Sequence, residues 1–189
     1  MPLAFVGRAA ELMFLQQRLE RARRSGRSAV VVVSGEPGIG STRLLGQFGV
    51  AQTSARILHG RGSPLGSAAA YGLIAEALES HLRTLPAERL VELAAGREEE
   101  LAWVFPSVAP ALSKRTEQAP GRLAVFEAVG ALLVGIAGRT PAALILDDSH
   151  DGDPSTWELV AYLGRIPEAA RLQERLSGPD SIPRESRET

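Results

Sequence analysis

The run Val30-Val31-Val32-Val33-Ser34-Gly35-Glu36-Pro37-Gly38-Ile39-Gly40-Ser41-Thr42-Arg43-Leu44-Leu45 decides how the rest of the chain is read. Four consecutive valines predict a strand buried on both faces, because β-branched side chains pack well on a pleated surface and no polar alternation marks a wet side. At Ser34-Gly35 the apolar run stops. Gly35, Gly38 and Gly40 then allow a backbone turn that other residues would strain, and they let main-chain N–H groups come close to a bound anion. A helix is expected to open at Ser41-Thr42, so that its unpaired N–H groups and the positive end of its dipole face the same space. Strand, glycine-rich loop and helix in this order make a cradle for phosphate.

The spacing from Gly35 to Thr42 fits G-x-x-x-x-G-K-[ST], the phosphate-binding loop of nucleoside triphosphatases, at every defined position but one. Ser41 stands where the lysine belongs, and its hydroxyl is too short and uncharged to reach the β and γ phosphates as an ammonium does. Thr42 keeps the place whose hydroxyl ligates Mg²⁺. Arg43 does not substitute, since at about 100° per helical residue it points roughly 200° away from position 41. A charge-assisted hydrogen bond is worth roughly 1.5–3 kcal/mol, so the exchange predicts roughly ten- to hundredfold weaker triphosphate binding and a larger loss in turnover. The plain alternative is a glycine-rich turn that binds nothing.

Ala142 to Leu146 reads as a second continuous apolar strand, and it ends in Asp147-Asp148. Ligands of open parallel sheets collect at the carboxyl ends of the strands, so both acids are expected beside the phosphate loop. Adjacent carboxylates repel and are costly to bury without a cation or hydrogen-bond donors. Asp147 is read as the Mg²⁺ ligand and Asp148 as the group that polarises an attacking water. The competing reading of the pair is a helix cap or an exposed turn. His150 and Asp151 suggest a metal triad only weakly, because the phosphate-loop scheme already accounts for the acids.

Between these two segments the pattern is mostly helical. Leu12, Leu15 and Leu19 recur at helical spacing, and Arg21, Arg23, Arg24 and Arg27 close that helix where its dipole favours cations. Leu44, Leu45, Phe48 and Ala51 make the buried stripe of the helix after the loop, and Arg56 to Gly60 reads as a short strand. Helices follow around Tyr71–Leu82, from Pro86 to about Leu93, and over Glu98–Phe105, with Trp103, Phe105 and Val108 assigned to the core. From Arg122 a longer helix turns Leu123, Phe126, Val129, Leu133 and Ile136 inward. Asp153-Pro154 is a helix start, aspartate as N-cap and proline in the first turn, with Trp157, Val160 and Leu163 inward. Residues 1–176 are read as one domain and residues 177–189, rich in Pro, Ser, Arg and Glu, as a disordered tail.

Composition narrows the function classes. The 189 residues are 44% hydrophobic and 23% charged with a net charge of −1, which gives no electrostatic footprint for nucleic acid or an acidic membrane. There is no cysteine, hence no disulfide framework and no thiolate metal site, and a reducing cytoplasm is the expected compartment. The apolar stretch Leu123 to Ala137 is shorter than the roughly 20 residues a membrane span needs, and it carries Glu127. No signal peptide is expected from the first residues.

With both halves of the site in view, the chain resembles the ATP-binding domain of the AAA-type, signal-transducing ATPases with numerous domains, found in large bacterial LuxR-family transcriptional regulators. Phe5-Val6-Gly7-Arg8 with Glu11-Leu12 looks like that family's opening box, Gly35 to Leu45 its phosphate loop, and Leu144 to Thr156 its Asp-Asp strand and following Asp-Pro helix. The resemblance implies an α/β P-loop NTPase fold, a parallel β-sheet flanked by helices, that uses ATP or ADP with Mg²⁺. It implies that Val6 and Arg8 lie near the nucleotide and that Gly35, Glu36, Pro37, Gly38, Ile39, Gly40, Ser41 and Thr42 wrap its phosphates. Thr42 and Asp147 would then serve the metal, and Asp148 hydrolysis.

The departures from that family are Ser41 for the lysine, Ser149 and Asp151 for an apolar and an aromatic residue, and Gly164-Arg165-Ile166-Pro167 where another apolar strand is usual. In this ATPase class that strand lies between the phosphate-loop strand and the Asp-Asp strand. Without it, two strands built for burial have exposed edges or must pair with each other directly, and the domain is read as incomplete at its C-terminus. No helix-turn-helix that reads DNA is recognised. The leading expectation is an ATP-binding switch module of a signalling regulator, partnered by other protein segments, with hydrolysis impaired or lost. The alternatives are a non-catalytic remnant or interaction protein and, third, a small-molecule kinase.

Overall fold

The valine run is not a strand. In the computed structural model, which describes residues 7–36, 38–63, 69–112, 118–138 and 140–165, residues 27–35 have no regular secondary structure. Val30, Val31 and Val32 are 52%, 37% and 76% exposed. Among the described residues the sheet has two parallel strands, β1 (Arg56–Arg61) and β2 (Ala142–Asp147), with Arg56 opposite Ala142 and Arg61 opposite Asp147. The correction has a physical reason. Preference for strand is a preference for fitting a neighbouring strand, not a property of the isolated backbone, and β2 is laddered to β1 instead of to the valines. Only Val33 is drawn in, partly buried against Leu15, Leu44, Phe48 and Ile145.

Around this sheet the order is α1 (Ala9–Ser25), α2 (Ser41–Ala51), β1, α3 (Gly72–Leu82), α4 (Ala87–Ala94), α5 (Glu98–Val104), a single turn α6 (Ala109–Leu112), α7 (Arg122–Ala137), β2, a 3₁₀ turn (Ser149–Asp151) and α8 (Pro154–Leu163). The architecture is α/β, as the sequence indicates. The proposed tail falls in residues 166–189, outside the described residues.

Side chains alternate across the two strands, and the alternation sorts the helices into layers. Leu58, Leu144 and Leu146 face the main core, where Ile74 and Leu78 of α3, Phe105, and Val125 and Val129 of α7 are buried. Ile57, Ala143 and Ile145 face the other way, toward Leu44 and Phe48 of α2 and Leu15 of α1. The odd-numbered positions of both strands therefore share the face on which α2 lies.

Several side chains face differently from the periodic reading. Leu123, Trp103 and Trp157 are exposed, as is Ala51 at the end of α2. In α8 the inner face is Thr156 and Leu159, so Trp157 is turned one helical step of about 100° outward. Trp103 sits between Ala102 and Val104, both buried, and is turned outward by the same geometry. Helix α7 is buried at Val125, Phe126, Ala128, Val129, Ala131, Leu132 and Ile136, nearly all round, which leaves the first-turn Leu123 beyond the packed length.

Candidate functional site

The loop that precedes α2 turns on two residues in the left-handed region, Gly38 at φ 83° and Gly40 at φ 90°, where a side chain would strain the backbone. The Ile39 N–H donates to the Glu36 carbonyl at 3.1 Å, closing the turn. Gly40 is the N-cap of α2, and its carbonyl accepts from Leu44 N–H at 3.0 Å. Glycine brings no capping side chain, so the N-cap makes no side-chain hydrogen bond to the first turn of this 11-residue helix. Ser41 and Thr42 are its first two residues, and Gly35 stands at the end of the valine run. Pro37 and Val6 lie outside the described residues; Arg8 is the N-cap of α1, with its guanidinium 4.0 Å from the Glu11 carboxylate.

Asp147 ends β2 on the face that α2 covers, and the two halves of the sequence motif meet there. Thr42 Oγ1 donates to Asp147 Oδ1 at 3.2 Å, and the Asp148 N–H donates to the same oxygen at 3.0 Å. Asp147 is only 4% exposed, and its Oδ2 is buried without a hydrogen-bond partner among the described residues. Leaving a carboxylate oxygen dry and unpaired is expensive, which marks the place for an electropositive group. The residues fit Mg²⁺. That ion takes oxygen ligands and is commonly bound through one or two carboxylates together with phosphates and water. Among the described residues no group of three or more His, Cys, Asp or Glu is placed to hold a metal. His150 Nε2 and Asp151 Oδ2 are 3.7 Å apart on the following turn, with His150 exposed.

Asp148 is held differently from its neighbour. Its backbone is left-handed at φ 47°, and its carboxylate Oδ2 accepts from Arg61 Nε at 2.7 Å. That hydrogen bond, followed by the charge of Asp148, raises the Arg61 pKa above its ordinary value. Gly62 completes the junction. Its N–H donates to the Asp147 carbonyl at 2.8 Å, and a Cβ there would collide with the Asp148 carbonyl. The residues that follow β1 thus set the backbone that presents the acidic pair.

Asp153 performs the capping role expected of it, and a second one. Its carboxylate accepts from Thr156 N–H at 2.9 Å and Thr156 Oγ1 at 2.6 Å, which caps α8. It also accepts from Tyr71 N–H at 2.9 Å and Gly72 N–H at 3.1 Å, at the start of α3. Burial pushes its pKa up, but the Thr156 hydroxyl, the Tyr71 amide and the Thr156 amide together outweigh that and hold it below the ordinary carboxylate value.

Sequence reasoning missed Arg61, Gly62 and the contact of Asp153 with α3. Gly62 directly after a strand was the one local signal for close backbone approach. Arg61 gave none, because its meaning depends on the register of β1 against β2.

A family model described as AAA ATPase domain matches residues 4–176. No curated protein and no solved structure matches the chain.

Proposed function

The chain belongs to the AAA ATPase domain family, and we propose that it is a nucleotide-binding switch module of a bacterial signalling or transcriptional regulator. It takes ATP or ADP with Mg²⁺, and its hydrolysis is impaired or absent. One observation carries the reading: Thr42 at the head of α2 is hydrogen-bonded to Asp147, whose other oxygen is buried and unpaired.

In this proposal the N–H groups of the loop and of the head of α2 bind the phosphates, with Gly35 to Thr42 wrapping them. Val6 and Arg8 lie near the nucleotide. Thr42 and Asp147 hold Mg²⁺, which when bound supplies positive charge to the phosphate oxygens. Ser41 brings no charge, and Asp148 has its carboxylate turned to Arg61, so the group assigned to polarise water is engaged elsewhere. The loss of the lysine lowers turnover, and so does Asp148 for as long as it stays paired with Arg61. The other protein segments of the regulator are the partners of the switch.

Thermal unfolding tests the reading, because a ligand that binds only the native state must raise the midpoint; at a hundred times its Kd the gain is about 2.7 kcal/mol. A non-hydrolysable ATP analogue with Mg²⁺ raises the midpoint, and Asp147→Asn removes the Mg²⁺-dependent part. No shift in either the native chain or Ser41→Lys removes the proposal. That outcome would favour the second reading, a non-catalytic interaction protein, which draws on Ser41 and on the exposed valines.

A further inference from the structure

Arg61 lies opposite Asp147 in a parallel ladder, so both side chains leave the sheet on the face covered by α2. Thr42, in the first turn of α2, touches Asp147, and Arg61 touches Asp148 at 2.7 Å. A guanidinium, two carboxylates and the head of a helix are therefore gathered at one end of the sheet. The loop that should contribute a cation contributes Ser41 instead.

We infer that Arg61 supplies the charge that the missing lysine would bring, leaving Asp148 to bind the terminal phosphate of a nucleoside triphosphate. This rests on the nucleotide-binding reading above and adds the residue and the nucleotide state it recognises. The Arg61 side chain is 62% exposed, and an ion pair so open to water holds its partners weakly, so a phosphate can compete for the guanidinium. Arginine suits the exchange, since its planar fork matches phosphate oxygens with two parallel hydrogen bonds. Beside Asp147 and Asp148 a triphosphate meets carboxylate repulsion, and Arg61 is the cation that the structure shows bonded to that pair. A diphosphate lacks the terminal group and leaves the Arg61–Asp148 pair intact. The pair thereby distinguishes the two nucleotides, and only the triphosphate frees the Asp148 carboxylate.

The test is an equilibrium titration of the whole chain with Mg²⁺ and either ADP or a non-hydrolysable ATP analogue. Arg61→Ala is expected to weaken the triphosphate about ten- to hundredfold and the diphosphate by less than about threefold. Arg61→Lys, which keeps the charge but not the two-bond fork, should keep part of the triphosphate affinity, more than Arg61→Ala does. In the double variant Ser41→Lys with Arg61→Ala the restored lysine should recover it. A purely structural role for Arg61 would weaken both nucleotides alike and would not be rescued by Ser41→Lys, and that result overturns the inference. So does an Arg61→Ala chain that binds the triphosphate as the native one does. Failure of the underlying reading looks different: neither nucleotide binds the native chain or Ser41→Lys, although both unfold cooperatively, and both proposals then fall together.

Discussion

On one face of the sheet, Leu58, Leu144 and Leu146 meet a buried cluster that runs through α3, α4, α5, α7 and α8. On the other face the buried residues are Leu15, Leu44, Phe48 and Ile145. The acidic pair stands at the end of β2, which is packed on both sides, Leu144 and Leu146 on the large cluster and Ile145 in the small one, whereas the loop before α2 hangs between the exposed valine run and α2 on the small one alone. The site is divided between the two faces. Its carboxylates end a strand packed on both faces, and its loop amides sit on the part with the fewest buried apolar contacts, where local opening is cheapest.

Emptying each cluster in turn has the largest expected effect. Phe105→Ala, at a fully buried position of the large cluster, should cost about 3–5 kcal/mol in a denaturant melt. Phe48→Ala should cost about half as much and should speed amide exchange in α2 while leaving α7 protected. Equal costs and uniform exchange would mean that the two faces are one cooperative unit.

Asp153→Ala comes next, at about 2–3 kcal/mol, because it leaves the amides of Tyr71, Gly72 and Thr156 without their acceptor. A pH series sharpens the same point. The Asp153 pKa is lowered in the folded chain, so its contribution is complete above the unfolded carboxylate value of about 4 and is lost as pH falls through the folded one. His81 adds a smaller loss earlier. Burial first, and then the charge of Arg56, push its pKa down, so the unfolded chain takes up the proton first and stability begins to fall below about pH 6.5. If Asp153→Ala leaves the acid limb of the curve unchanged, the carboxylate is not what joins α3 to α8.

The smallest effect belongs to the valine run. Val32→Lys should change stability by no more than about 0.5 kcal/mol, since Val32 is exposed. A large loss would restore the buried-strand reading.

How far the sequence could be read follows from the range of each interaction. The helices α1, α2 and α7 and both strands are written in local periodicity, and the left-handed turns were marked by Gly38 and Gly40. The meeting of Thr42 with Asp147 followed from a topological rule about strand ends, which is why a bond across 105 residues could be expected. The fate of the valines could not be read the same way. Their composition states that they suit a strand, but only the pairing of β2 decides whether a partner exists. Arg61 was hidden for a related reason, as its pairing with Asp148 needs strand register, and the hold of Asp153 on Tyr71 spans 82 residues with no motif to announce it.

Amide hydrogen exchange with and without Mg²⁺ and a non-hydrolysable ATP analogue tests most directly whether the loop and the acidic strand end form one nucleotide site. The account expects exchange to slow together at residues 38–44 and at 147–148, with α7 unchanged. Loop amides that exchange at the same rate under saturating nucleotide would contradict it.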